Sequence, residues 1–250
     1  MEYEDIYRKI QEFFGGSSQN FSLMEDPVDV NLQMKYFEMS SRMSGKYTEA
    51  DMLAHKDELY NPKLTIEKKK NLLVQMASVA SPEIFRVLEE YSKQPDEELK
   101  DWSKLALQET RITLESQLLD NRQVFISTGL GGKGNKIRYF VVLINKNGTE
   151  LQAYQKKIVQ DEMQYALQRN DSELEKLEFI KHYITMLVVV PISSDLTRLF
   201  RDGINECNQF GDFLSPDFIV TNMKAMSEEE INDALSLNNP VTDDDFPPVD

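Results

Sequence analysis

The sequence predicts an α+β fold, a helical first part followed by a four-stranded mixed sheet with helices on one face. Three observations carry that expectation. Up to about residue 120, apolar residues recur at helical spacing, broken by proline, glycine and capping residues. After it come short runs rich in β-branched and aromatic residues, bounded by turn formers. These runs alternate with helical stretches in the order β-β-α-β-α-β, the grammar of a sheet covered by crossover helices.

The helical elements follow in turn. In "NLQMKYFEMSSRMSG", Leu32, Tyr36, Met39 and Met43 form one stripe and Gly45 supplies the stop. "TEADMLAHKDELYNP" opens on Thr48 as N-cap, with Asp51 three residues on, and ends before Pro62. A helix starts near Thr65 and runs through "NLLVQMASVA". In "SPEIFRVLEEY", Ser81 is the N-cap, Pro82 takes the first helical position, and Ile84, Val87, Leu88 and Tyr91 share a face. "PDEELKDWSKLAL" repeats the device, with Asp96 as N-cap and Leu99, Trp102, Leu105 and Ala106 facing inward.

The stretch "KKKNLLVQMASVASPEIFRVLEEYSKQPDEELKDWSKLALQE", with Ala77 and Ala80, the Pro82 opener, the Leu88 anchor and the "PDEELKDWSKLAL" transition, resembles HEAT-like repeats over roughly residues 65–120. The resemblance implies a HEAT-like antiparallel helical bundle with a surface for a protein partner. It implies no chemistry. Exposed Glu97, Glu98 and Lys100 are the residues it offers to that partner.

Beyond Asp120, "RQVFISTG" and "NKIRYFVVLINKNG" read as strands, "AYQKKIVQDEMQYALQRND" as a helix, and "HYITMLVVVPI" as a central strand. "SSDLTRLFRDGINECNQFG" reads as a helix capped by Ser194 and closed by Gly211, and "PDFIVTNMKAM" as the last strand. The expected organisation is a helical region over 1–120, an α+β region over 121–235 and an acidic flexible tail over 236–250.

The chain of 250 residues has a formal net charge of −15, with eight acidic and no basic residues from Met226 to Asp250. Such a balance disfavours nucleic acid and anionic membranes as partners. The basic runs "EKKK" and "KGNKIR" read as solvated faces. The longest apolar run, "MLVVVPI", is too short to span a bilayer, and the acidic N-terminus has no apolar signal region. Cys207 is the only cysteine, which excludes an intrachain disulfide and a cysteine-based zinc site. A cytoplasmic setting is expected, and no cofactor.

"ISTGLGGKGNKIRYF" invites a phosphate-binding reading through Gly131, Gly132 and Lys133. It lacks the P-loop spacing: Ser127 stands where the first glycine belongs, Gly134 follows the lysine, and a strand follows where a helix is required. A hairpin with residues at positive φ is the expectation. Ser193 and Ser194, at the turn from the central strand into a helix, form the one local candidate for an anion site, although Asp195 competes for that helix end. Asp51 with His55, and Glu178 with His182, are carboxylate–histidine pairs at i, i+4. Without a third ligand they predict no metal site. Cys207 near a helix end reads as a buried filler, not a nucleophile served by His182. The tail lacks the ligand spacing of a calcium loop.

The function expected from these features is a non-enzymatic interaction or scaffold protein. The alternative is a small-ligand sensor or enzyme with its anion site at Ser193–Asp195.

Overall fold

The computed structural model describes residues 21–43, 45–118 and 124–238. Most of the expected tail, from residue 239 on, lies outside them. The fold is α+β, and its contacts divide the chain into two compact units, Met1–Ile137 and Arg138–Asp250.

The first unit contains β1 (Phe21–Leu23), α1 (Val30–Met43), α2 (Glu49–Ala54), a 3₁₀ turn over Lys56–Tyr60, α3 (Ile66–Ala77), α4 (Pro82–Lys93), a 3₁₀ turn over Glu97–Leu99 and α5 (Lys100–Leu118). Thr48 and Asp51 close a capping box at the start of α2. Thr65 caps α3, and Ser81 caps α4 with Pro82 just inside. Tyr36, Leu73, Met76, Ile84, Leu88, Leu99 and Leu105 are fully buried. Trp102 packs edge-on to Tyr36 with ring centroids 5.2 Å apart, and its indole N–H donates to the Lys70 carbonyl at 3.2 Å.

Asp96 departs from its expected role. Its side chain caps nothing. Its carboxylate instead receives Lys69 Nζ at 2.6 Å and the Tyr91 hydroxyl at 2.7 Å. The Lys69 side chain is 4% exposed, so its charge needs that partner.

The remaining described elements of the first unit are short strands. Strand β2 (Val124–Ile126) pairs in parallel with β1, and β3 (Gly132–Lys133) pairs with the start of β4 (Lys136–Asn145) through the two-residue turn Gly134–Asn135. Gly134 has φ +60°, the conformation for which a first central turn position selects glycine.

The second unit continues β4 into α6 (Ala153–Arg169), β5 (Glu173–Ile180), β6 (Tyr183–Pro191), α7 (Leu196–Asn208), β7 (Leu214–Thr221) and α8 (Glu228–Asn238). Its strand order is β7-β4-β6-β5. Two β-α-β units interleave, the split arrangement of ferredoxin-like sheets.

The sheet is antiparallel, where a mixed one was expected. The cause is β5, which the sequence hides. A register shift between Leu174 and Lys176 leaves Glu175 as an extra residue, so Leu174, Leu177 and Phe179 do not alternate at a strict period of two. With β5 restored, each crossover skips a strand and adjacent strands run in opposite directions.

Val141, Leu143, Ile184, Met186, Val188 and Val190 face a core shared with Val159, Met163, Leu199, Phe200 and Ile204 of α6 and α7. Cys207 is buried in that core, and burial pushes its thiol up to about 12, an inert filler. Helix α8 meets the other face, where the Tyr183 hydroxyl donates to Asn232 Oδ1 at 2.6 Å. Helices on one face alone therefore describes α6 and α7 only.

Candidate functional site

A groove of about 400 Å³ in the first unit gathers His55, Glu58, Leu64, Lys68, Asn71, Leu72 and Gln75. Its geometry follows from where α2 stops. That helix ends at Ala54, His55 is its C-cap, and a 3₁₀ turn begins at Lys56. In 3₁₀ geometry side chains three apart eclipse one another. His55 is thereby aligned with Glu58, and Nδ1 lies 2.7 Å from Glu58 Oε1.

The opposite wall is one stripe of α3. Lys68, Asn71, Leu72 and Gln75 stand at i, i+3, i+4 and i+7, the spacing of a single helix face. Thr65 holds the start of that helix by accepting from the Lys68 amide at 3.4 Å.

The polar atoms are unevenly committed. Asn71 Nδ2 donates to the Glu67 carbonyl at 2.8 Å, and Gln75 Nε2 donates to the Tyr47 hydroxyl at 3.1 Å. Their amide oxygens have no bond within the described residues. The Lys68 ammonium has no ion pair there either. The second imidazole nitrogen of His55 has no bond within the described residues. Leu72 is buried and Leu64 half-buried, which gives the groove an apolar side. A cation, an oriented imidazole, two carbonyl acceptors and an apolar wall can bind a small polar molecule. They include no hydroxyl or thiol nucleophile, since Tyr47 is reached only through Gln75.

The expected pairing of Asp51 with His55 is replaced. Asp51 turns back to Thr48, whose hydroxyl and amide hold its carboxyl below the usual aspartate range. Glu178 and His182 share no helix: the first is on β5 and the second in the tight turn into β6. Among the described residues no group of three or more metal-ligating side chains comes together.

Gly131 and Gly132 are buried and Lys133 is exposed. A Cβ on Gly131 would lie 2.3 Å from the Glu25 carbonyl oxygen, and one on Gly132 would lie 2.3 Å from the Lys136 carbonyl oxygen. These two glycines allow backbones to meet. Ser193 is exposed and Ser194 half-buried in a turn closed by Ser194 N–H on the Pro191 carbonyl at 3.0 Å. Asp195, not Ser194, caps α7, accepting from the Arg198 amide at 3.0 Å. Its carboxylate thus occupies the position an anion would take. Glu97 and Glu98 are exposed on a 3₁₀ turn, and Lys100 is exposed at the start of α5.

No family model matches the chain, and no curated protein does. Solved structures with partial likeness include a putative transposase from Deinococcus radiodurans R1, at 15% identity over 43% of this chain and 92% of that one, TM-score 0.33. Another is a REP-associated tyrosine transposase bound to a REP hairpin, at 10% identity over 40% of this chain and 64% of that one, TM-score 0.31.

These are transposases, not interaction scaffolds or helical-repeat proteins. The expectations of a non-enzymatic interaction or scaffold protein built on helical repeats, and of nucleic acid as a disfavoured partner, are corrected accordingly. The physical reason is the same in each case. Helix-pair spacing reports packing and not role, and a whole-chain charge does not describe any one surface. At these TM-scores the likeness assigns no activity or ligand to this chain. Among the described residues no helix is long and apolar enough to cross a membrane.

Proposed function

We propose that this protein binds a small polar ligand in the groove between the 3₁₀ turn after α2 and the outer face of α3, in a cytoplasmic setting. The observation that carries the reading is the juxtaposition of the Glu58-oriented His55 ring with Lys68, a cation that no carboxylate of the described residues neutralises. Here both line one concavity together with Asn71, Gln75 and two leucines, the combination of a few polar groups and an apolar wall that small-molecule sites use.

The expected anion site at Ser193 and Ser194 gives way to this one because Asp195 already caps that helix. The test is a thermal-shift screen of the full chain against a panel of small metabolite classes at millimolar concentration, beside the Lys68→Ala and His55→Ala variants. A ligand that raises Tm for the wild type and for neither variant supports the reading. A panel in which every stabilising compound acts equally on all three proteins refutes it.

A further inference from the structure

We infer that the groove takes a free α-amino acid with an apolar side chain, an inference that rests on the small-ligand reading above. The argument is one of uncommitted atoms. Asn71 and Gln75 both spend their N–H donors inside the protein, on the Glu67 carbonyl and the Tyr47 hydroxyl. What they leave is two carbonyl oxygens, which accept and cannot donate. A ligand that satisfies them must bring N–H or O–H groups.

Lys68 sits on the same helical stripe and supplies a positive charge without an internal partner. A ligand that satisfies it must bring an anion. Leu64 and Leu72 ask for neither. A simple dicarboxylate would meet Lys68 but present only acceptors to the amide oxygens. A neutral sugar would meet the amides and leave Lys68 unused. A zwitterion meets both: its carboxylate takes Lys68, its ammonium donates to Asn71 Oδ1 and Gln75 Oε1, and its side chain lies on the leucines. The volume of about 400 Å³ is at the small end of ligand sites and accommodates a molecule of this size.

The experiment is calorimetric titration of the full chain with L-leucine, N-acetyl-L-leucine and L-leucinamide. The acetyl compound lacks the ammonium and the amide lacks the carboxylate. L-leucine is expected to bind, and each analogue to bind at least about tenfold more weakly, the effect of losing one charge-assisted hydrogen bond. In Lys68→Ala, leucine and leucinamide are expected to converge to the same affinity, while circular dichroism stays unchanged because Lys68 is an exposed residue. Equal binding of leucine and its N-acetyl form overturns the inference in favour of a simple anion. It leaves the small-ligand reading intact, since the groove still discriminates at Lys68. Failure of all three compounds to bind also overturns the inference, and the metabolite panel decides separately whether the groove binds anything.

Discussion

The Tyr36 hydroxyl donates to Glu109 Oε2 at 2.6 Å, and Ser40 donates to the other oxygen of the same carboxylate. The pair joins α1 to α5 inside the first unit, where Tyr36 is fully buried. Burial raises the Glu109 carboxyl above the usual glutamate range, against the two hydroxyls that favour its ionised form. Burial and the neighbouring carboxylate hold the Tyr36 hydroxyl well above its ordinary value.

A group whose folded-state pKa is raised binds more protons in the native than in the unfolded state. The contribution of Glu109 is therefore greatest below the ordinary glutamate range. It declines as pH rises from there to the folded pKa, and is constant above it. Glu109→Gln removes this dependence. Urea midpoints of wild type and variant between pH 4 and pH 8 should show the wild type losing ground to the variant as pH rises. A constant difference would show that Glu109 titrates as it does in the unfolded chain.

The Lys69–Asp96–Tyr91 cluster predicts an asymmetry. Asp96→Ala leaves a buried ammonium and a buried hydroxyl without their acceptor. Lys69→Met leaves a carboxylate whose side chain is 38% exposed and still holds Tyr91. The aspartate change should cost about 3 to 5 kcal/mol, and the lysine change about 1 to 2 kcal/mol because water screens what remains. Lys69 and Tyr91 hold the Asp96 carboxyl below its ordinary range. The wild-type advantage is thus full above the ordinary aspartate range and is lost as pH falls through the depressed folded pKa. Chemical denaturation of both variants at neutral and acid pH checks the order.

The two glycines of the β3 region should respond differently to alanine. At Gly131, φ is +68° and the new methyl meets the Glu25 carbonyl oxygen at 2.3 Å. Strain and overlap together should cost about 3 kcal/mol or more. At Gly134, φ is +60° but the methyl has open space, which leaves only the conformational cost of about 1 to 2 kcal/mol. Equal losses in thermal unfolding would refute the packing role given to Gly131.

Much of the helical unit was legible because its punctuation is local. Thr48–Asp51 and Ser81–Pro82 cap the helices they were read to cap, and a helix does start next to Thr65. Asp96 and Ser194 were misread because a cap signature shows what a side chain is near in sequence. Lys69 lies 27 residues from Asp96, and Asp195 sits one residue beyond Ser194. Strand β5 was lost to its bulge.

Helix α8 carried a readable signal that was passed over in the acidic run. Ser227 and Glu230 form a capping pair, with Glu230 Oε2 accepting from the Ser227 amide at 2.9 Å. Of the groove, His55 was noticed with the wrong partner, since i, i+4 holds only while the α-helix continues. Lys68 was read as part of a solvated run. Nothing in the sequence says that the 3₁₀ turn and α3 face each other.

The most direct measurement is the magnetic resonance of the groove itself. The ring signals of His55 and the side-chain amide signals of Asn71 and Gln75 are followed as L-leucine is added to the labelled full chain. The account predicts saturable shifts at all three residues with one common dissociation constant, and their loss in Lys68→Ala. Shifts that are absent, or that saturate elsewhere while these three stay fixed, would contradict a ligand site in this groove.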